Sequence, residues 1–70
     1  KKYSESITHL RNFLAQNRTK EVADRASFYL GESYYYTGNF SLALTKFLTL
    51  EEPYPELCRQ WIDSSLDQLN

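Results

Sequence analysis

The sequence predicts an all-α domain of four helices paired in antiparallel helix-turn-helix units. Three observations predict this fold class. Apolar residues recur every three or four positions in four segments, the 70 residues include only two Gly and two Pro, and the links between the last three segments are short. Short links make consecutive helices pack antiparallel. A chain of this length forms one small domain at most.

The first helical segment carries one apolar stripe, with polar side chains on its other side. The stripe is spaced by four, three and four residues and consists of Tyr3, Ile7, Leu10 and Leu14. This spacing predicts an amphipathic helix. The apolar pattern ends at residues 16–18. Thr19 is placed to cap the next helix, because its hydroxyl can accept a hydrogen bond from a free backbone N–H.

The second segment, from Lys20 to Thr37, is apolar on more than one face. One face holds Val22, Ala23, Ala26, Leu30 and Tyr34, and the others carry Phe28, Tyr29, Tyr35 and Tyr36. A helix that is apolar on two faces is expected to pack against neighbours on both. Gly38 suits the left-handed residue that ends a helix, and Asn39 is expected to cap the third helix.

The third and fourth segments are separated by a proline-containing link. The third covers residues 40–50, and its apolar set is Phe40, Ala43, Leu44, Phe47 and Leu48. Residues 51–55 stop it, because proline cannot continue a helix, and Pro55 suits the first position of a fourth helix that runs to Leu69. The apolar set of this last helix is Leu57, Trp61, Ile62, Leu66 and Leu69. If it ends the stack, Ile62 and Leu66 are expected to face outward.

Composition and charge exclude several classes of function. The net charge of -1 leaves no basic surplus to neutralise phosphates, so we expect no nucleic-acid partner. No apolar run reaches the roughly 20 residues that span a bilayer, so we expect no direct membrane span. His9 has no second His or Cys at ligand spacing, and Cys58 is expected to be a small, partly buried hydrophobic residue. The sequence therefore predicts a non-enzyme, without catalytic residues, metal ligands or a cofactor.

One motif spans the second and third segments. Its positions, in chain order, are Ser27, Leu30, Gly31, Tyr34, Gly38, Phe40, Ala43, Phe47 and Pro55. The motif resembles the tetratricopeptide repeat, a helix-turn-helix unit of about 34 residues with Trp, Leu-Gly, Tyr, Ala, Phe and Pro at similar spacing. Ser27 departs from this pattern where Trp is usual, and Leu50 departs where a small residue is common. Gly31 and Ala43 are expected to let the two helices approach closely.

The resemblance extends loosely to both ends of the chain. Four early residues repeat the order of apolar and small residues in the third segment: Tyr3, Ser6, Leu10 and Phe13. Trp61 lies 34 residues after Ser27, where the family prefers Trp. The resemblance implies an α-solenoid fragment forming a single domain over residues 1–70. Its parts would be the second helix of a preceding repeat (1–18), a complete central repeat (20–52), and a following first helix or capping helix (54–70).

In this family the first helices of successive pairs line a concave face that binds other proteins. The resemblance thus implies a protein-protein interaction or scaffolding module that holds a peptide or a partner helix on this face. The side chains that would do so are Arg25, Phe28, Glu32, Tyr35, Tyr36 and Arg59. The same rings can instead pack between helices, an interpretation favoured for Phe28 and left open for Tyr35 and Tyr36. Glu32 would repel a carboxylate, so we do not expect the family's grip on a C-terminal carboxylate.

A structural role is the alternative to a binding role. The chain would then be an oligomerisation or spacer segment of a longer helical-repeat protein, with no ligand of its own. We also expect the isolated chain to self-associate, as a homodimer or by exchange of a terminal helix. The chain is similar to the bacterial cell-envelope subgroup of the family, which includes the Tol-Pal system periplasmic protein and outer-membrane assembly lipoproteins. The similar positions are Tyr3, Phe13, Leu14, Ala26, residues 29–35, residues 38–40, Ala43 and the Tyr54-Pro55 pair. This similarity implies the periplasm or cell envelope.

Overall fold

A computed structural model describes residues 2–16 and 19–70, which form four α-helices. The helices are α1 (Tyr3–Leu14), α2 (Lys20–Tyr36), α3 (Phe40–Glu51) and α4 (Pro55–Leu69). Each helix packs on the next one along the chain. The described residues contain no strand, so the all-α prediction is confirmed. The parts of the first predicted segment that fall on Lys1, Asn17 and Arg18 lie outside the described residues.

The ends of α2 follow the chemistry that the sequence predicts. At the start, the Thr19 hydroxyl accepts a hydrogen bond from the backbone N–H of Val22, at 3.4 Å. At the end, Gly38 has a φ of 83°. The backbone N–H of Asn39 donates to the carbonyl of Tyr34 at 2.8 Å, and that of Gly38 donates to Tyr35 at 3.1 Å. This pair of bonds closes the helix as a Schellman motif, which needs the left-handed glycine.

The predicted cap of α3 is wrong in its chemistry. Asn39 occupies the N-cap position, but its side chain makes no hydrogen bond to the free N–H groups of α3. Its amide nitrogen donates instead to the Thr37 hydroxyl at 2.9 Å. The Thr37 hydroxyl in turn donates to the last turn of α2, at 2.9 Å from the Ser33 carbonyl. The Asn39 side chain therefore stabilises the end of α2 rather than the start of α3.

The buried core lies between α2, α3 and α4. It consists of Leu30, Tyr34, Ala43, Phe47, Leu50, Cys58 and Ile62. Helix α1 contributes only partly buried residues, so it covers the core along one stripe, as its spacing predicts: Ile7, Leu10 and Leu14. Ala43 and Phe47 are fully buried. The prediction that small residues let α2 and α3 approach is confirmed, because a Cβ on Gly31 would lie 2.9 Å from the Phe47 ring.

The outward orientation predicted for Ile62 is wrong. Its side chain is only 8% exposed, whereas Leu66 is 45% exposed as expected. Helix α4 turns the face of Cys58, Ile62 and Ser65 toward the core, and these residues recur at the three- and four-residue spacing of one helical face. Cys58 is completely buried rather than partly buried.

Candidate functional site

A cluster of aromatic rings joins all four helices. The aromatic cluster consists of Tyr3, Phe28, Tyr29, Tyr35, Tyr36, Phe40, Phe47 and Trp61, connected by ring contacts. Trp61 of α4 lies at its centre. Its ring centroid is 5.4 Å from both Tyr35 and Phe47, 5.9 Å from Tyr36 and 6.2 Å from Phe28. Trp61 therefore packs α4 against α2 and α3 through side chains that are distant in sequence.

Phe28 and Tyr35 are held between helices. Both are partly buried and pack against the core. The Phe28 ring lies 5.6 Å from Phe47, edge-on. The Tyr35 ring lies 5.2 Å from Phe40 of α3 and 5.4 Å from Trp61 of α4, edge-on to both. Edge-to-face pairs at these distances add stability beyond the area they bury. These two partly buried rings lie beneath the exposed rings of α2.

Tyr29 and Tyr36 rise from that base toward solvent. They are 51% and 54% exposed, and they lie seven residues apart on α2, hence on one face of the helix. The Tyr36 ring stacks on Tyr3 of α1, with a centroid distance of 5.0 Å and an angle of 24° between the planes. Tyr29 contacts Phe28 edge-on at 6.3 Å. Two large rings are thus presented about 10 Å apart along the helix axis.

Two open clefts flank Tyr29. The α1–α2 cleft has a volume of about 620 Å³ and is lined by side chains that include Tyr3, His9, Tyr29, Glu32, Ser33 and Tyr36. The α2–α4 cleft has a volume of about 610 Å³ and is lined by side chains that include Asp24, Arg25, Phe28, Tyr29, Tyr54 and Leu57. Tyr29 belongs to both. The two clefts therefore form neighbouring parts of one surface along α2.

The electrostatics of the α1–α2 cleft centre on Glu32. This side chain is partly buried. Desolvation by burial raises the pKa of its carboxyl group above the ordinary value, because the charged form loses hydration. In the part of the chain that the structure describes, no cation pairs with Glu32. The cleft therefore contains a partly desolvated carboxylate beside tyrosine rings.

The polar contacts of the α2–α4 cleft centre on the Asp24 carboxylate. The Tyr54 hydroxyl, in the link before α4, donates to the Asp24 carboxylate at 3.3 Å. Lys20 pairs with the same carboxylate oxygen at 2.8 Å, and this hydrogen bond raises the pKa of the Lys20 ammonium group. The Asp24 charge is thus already compensated within the chain. Arg25, on the next position of α2, is exposed at the edge of the cleft.

Of the six predicted site residues, four line one of the two clefts and two do not. Glu32 and Tyr36 line the α1–α2 cleft, and Arg25 and Phe28 line the α2–α4 cleft. Tyr35 lies beneath the surface, between Phe40 and Trp61. Arg59 is exposed on α4 and belongs to neither cleft.

Sequence reasoning missed Tyr3 and Tyr29 as members of this surface, and it missed Trp61 as the ring that contacts Tyr35 and Tyr36 from α4. The seven-residue spacing between Tyr29 and Tyr36 was a signal for Tyr29, because residues seven apart share a helical face. Tyr3 and Trp61 reach the surface only through helix packing, and no local spacing reports that contact.

Comparison with known proteins finds no matching family model, no matching curated protein and no matching solved structure. Among residues 2–16 and 19–70, no helix has the length and apolar content needed to cross a bilayer. The same residues include no group of three or more His, Cys, Asp or Glu arranged to hold a metal ion.

Proposed function

We propose that this chain is a segment of a tetratricopeptide-type helical-repeat protein and that the Tyr29–Tyr36 face of α2 binds a partner protein. The partner would lie along α2 as an extended peptide or as a helix. Its side chains would enter the α1–α2 cleft and the α2–α4 cleft on either side of Tyr29. The activity is binding and scaffolding, without chemistry on the partner.

The exposure of Tyr29 and Tyr36 carries this proposal. Each ring leaves about half of its surface in water while bordering an open cleft. Tyrosine is enriched in the energetically important positions of protein interfaces, because it offers a large contact area and a polar tip. Phe28 contacts Tyr29, and Tyr3, Tyr35 and Trp61 contact Tyr36, so both side chains are partly held and less conformational entropy is lost when a partner binds.

Selection from a displayed library of random linear peptides tests the proposal. We expect the wild-type chain to enrich peptides whose binding is lost in Tyr29→Ala and Tyr36→Ala. Leu48→Ala is the matched control, because Leu48 is a 50% exposed apolar residue of α3 outside both clefts. It should retain the selected peptides. Peptides that bind both tyrosine variants as well as the wild type would overturn the proposal, and so would a library that yields no binder.

A stability measurement separates binding from packing. Tyr29→Ala should leave the free energy of unfolding nearly unchanged, because the ring is half exposed and meets the ring of Phe28 at an edge-to-face distance of 6.3 Å. Tyr35→Ala should lower it by about 3 kcal/mol, as for other large aromatic side chains that are removed from between helices. Tyr29→Ala is thus expected to lose peptide binding with little loss of stability, whereas Tyr35→Ala is expected to lose stability.

Exposed leucines on α4 favour a second, structural function. Leu66 and Leu69 are each about half exposed on this helix, and they lie three residues apart on one face. In a helical stack a following helix would cover such a surface, and in the isolated chain a second copy can do so. Leu66→Lys should then abolish self-association in light scattering. A wild-type chain that stays strictly monomeric over a wide concentration range would overturn this function.

A further inference from the structure

We propose that the α1–α2 cleft binds a cationic side chain of the partner, a lysine or an arginine, between the tyrosine rings and the Glu32 carboxylate. This inference rests on the proposed binding function and names the chemistry that the cleft selects. It follows from the rings, from the unpaired carboxylate and from the charges around them.

The rings supply the first half of the site. Tyr3 and Tyr36 stack at 5.0 Å and line one side of the cleft, and Tyr29 lines it from a position two turns earlier on α2. The face of an aromatic ring carries partial negative charge and attracts a lysine ammonium or an arginine guanidinium group. The hydrocarbon stem of either side chain can lie against the same rings while its head stays partly hydrated.

Glu32 supplies the second half. Its carboxylate lines the cleft, is partly buried and has no cation beside it in the described residues. A carboxylate that has lost hydration without gaining a partner is destabilised in its charged form. A bound cation would form a charge-assisted hydrogen bond with it and remove that penalty. The raised pKa of Glu32 agrees with this lack of compensation.

The surrounding charges leave the site open to a cation. No lysine or arginine lines the α1–α2 cleft, and His9 is its one other titratable side chain apart from the tyrosines. Lys2 and Glu5, which carry opposite charges, line a separate and smaller cleft of about 400 Å³ that shares Tyr3 and Tyr36. By contrast, Asp24 in the α2–α4 cleft already pairs with Lys20. The α2–α4 cleft is also lined by Glu21 and Arg25, whose charges are opposite, so the cleft around Glu32 is the one whose negative charge has no lysine or arginine beside it.

Titration with matched peptides tests the inference. The probe is an acetylated and amidated alanine-serine peptide with one central lysine, followed by backbone amide NMR of the whole chain. The comparison peptides replace the lysine with norleucine, which keeps the stem, or with glutamate, which reverses the charge. We expect the lysine peptide to shift amide signals along α1 and the C-terminal half of α2. The norleucine peptide should bind at least about tenfold more weakly, and the glutamate peptide should not bind.

Two variants assign the effect to the cleft. Glu32→Gln should weaken binding of the lysine peptide about tenfold, the loss of one charge-assisted hydrogen bond. Glu56→Gln removes the same charge from an exposed position of α4 outside both clefts, and it should bind as the wild type does. Circular dichroism and thermal unfolding would verify that both variants fold. Tyr36→Leu should weaken the lysine peptide as well, because it keeps an apolar side chain but removes the ring face.

The outcomes distinguish this inference from the function on which it rests. Equal binding of the lysine and norleucine peptides, or unchanged binding in Glu32→Gln, would overturn the cationic site. If library peptides without a basic residue still require Tyr29 and Tyr36, the binding face stands and its selectivity for a cation does not. If neither the library nor the lysine peptide gives a binder, both proposals fail.

Discussion

Gly31 of α2 lies directly against the ring of Phe47 of α3. A Cβ atom at position 31 would be 2.9 Å from two carbons of that ring and 3.3 Å from the Cβ of Lys46. Phe47 is fully buried, so its ring cannot move into solvent to make room. Helices α2 and α3 can therefore approach this closely only because glycine at position 31 has no side chain. The packing of the core depends on this close approach.

Gly31→Ala tests this contact. Alanine favours a helix interior by about 1 kcal/mol over glycine, so an unconstrained position would gain stability. Here we expect a net loss of about 1–3 kcal/mol in the free energy of unfolding, because the added methyl group overpacks the core. Chemical denaturation measures it. The double variant Gly31→Ala with Phe47→Leu should lose less than the sum of the single variants, since leucine relieves the clash. A stabilised Gly31→Ala protein would contradict the contact.

Ser65 of α4 is a buried residue whose substitution is expected to stabilise the protein. Its side chain is completely buried, and its hydroxyl oxygen has no hydrogen-bond partner among the described residues. A buried hydroxyl without a partner costs about 1–3 kcal/mol of lost hydration. Ser65→Ala should therefore raise the free energy of unfolding by about 1 kcal/mol or more. Ser64→Ala, at the adjacent and less buried position, controls for the helix propensity of alanine. Equal gains from the two variants would refute a specific penalty at Ser65.

The contrast between Leu30 and Ile62 shows which part of the core can be predicted from the sequence alone. Leu30 and Phe47 belong to apolar faces predicted from helical spacing, Gly31 and Ala43 were predicted to let the helices approach, and all four lie at the contact between α2 and α3. The apolar set of α4 spreads over more than one face, so its spacing does not determine which face docks. The rotation of α4 depends on Trp61, whose partners Phe28 and Tyr35 lie more than 20 residues away in the sequence.

The candidate site was harder to predict than the core. Apolar spacing marks both buried and exposed rings, so it could not tell that Tyr35 lies inside and Tyr36 outside. Asn39 shows a similar limit at a helix end, because its amide can accept from α3 or donate to Thr37, and only the three-dimensional position of Thr37 decides between them. The α1–α2 cleft is lined by residues of two separate helices, and its Tyr3 and Tyr36 rings meet only because those helices pack together.

The raised pKa of Glu32 predicts a specific dependence of stability on pH. The folded protein holds this proton to a higher pH than the unfolded chain does. The stability that this proton provides is therefore fully present below the pKa of Glu32 in the unfolded chain. It is lost as the pH rises through the pKa of Glu32 in the folded protein. Glutamine cannot ionise, so the stability of Glu32→Gln relative to the wild type should increase from about pH 4 to about pH 7. Glu21→Gln controls for net charge. A stability difference that stays constant over this range would contradict the prediction.

The burial of Cys58 predicts a thiol that is protected while the protein is folded. Burial raises its pKa, and the nearby negative charge of Glu51 raises it further. Because the thiolate is the reactive species, a disulfide reagent should label the folded protein far more slowly than the unfolded protein at the same pH. The stability that this proton provides is present below the unfolded pKa of about 8.5 and is lost as the pH rises toward the folded value. The advantage of wild type over Cys58→Ala should therefore shrink above about pH 8.5. Labelling of the folded protein at the rate of the unfolded chain would show that α4 does not hold Cys58 against the core.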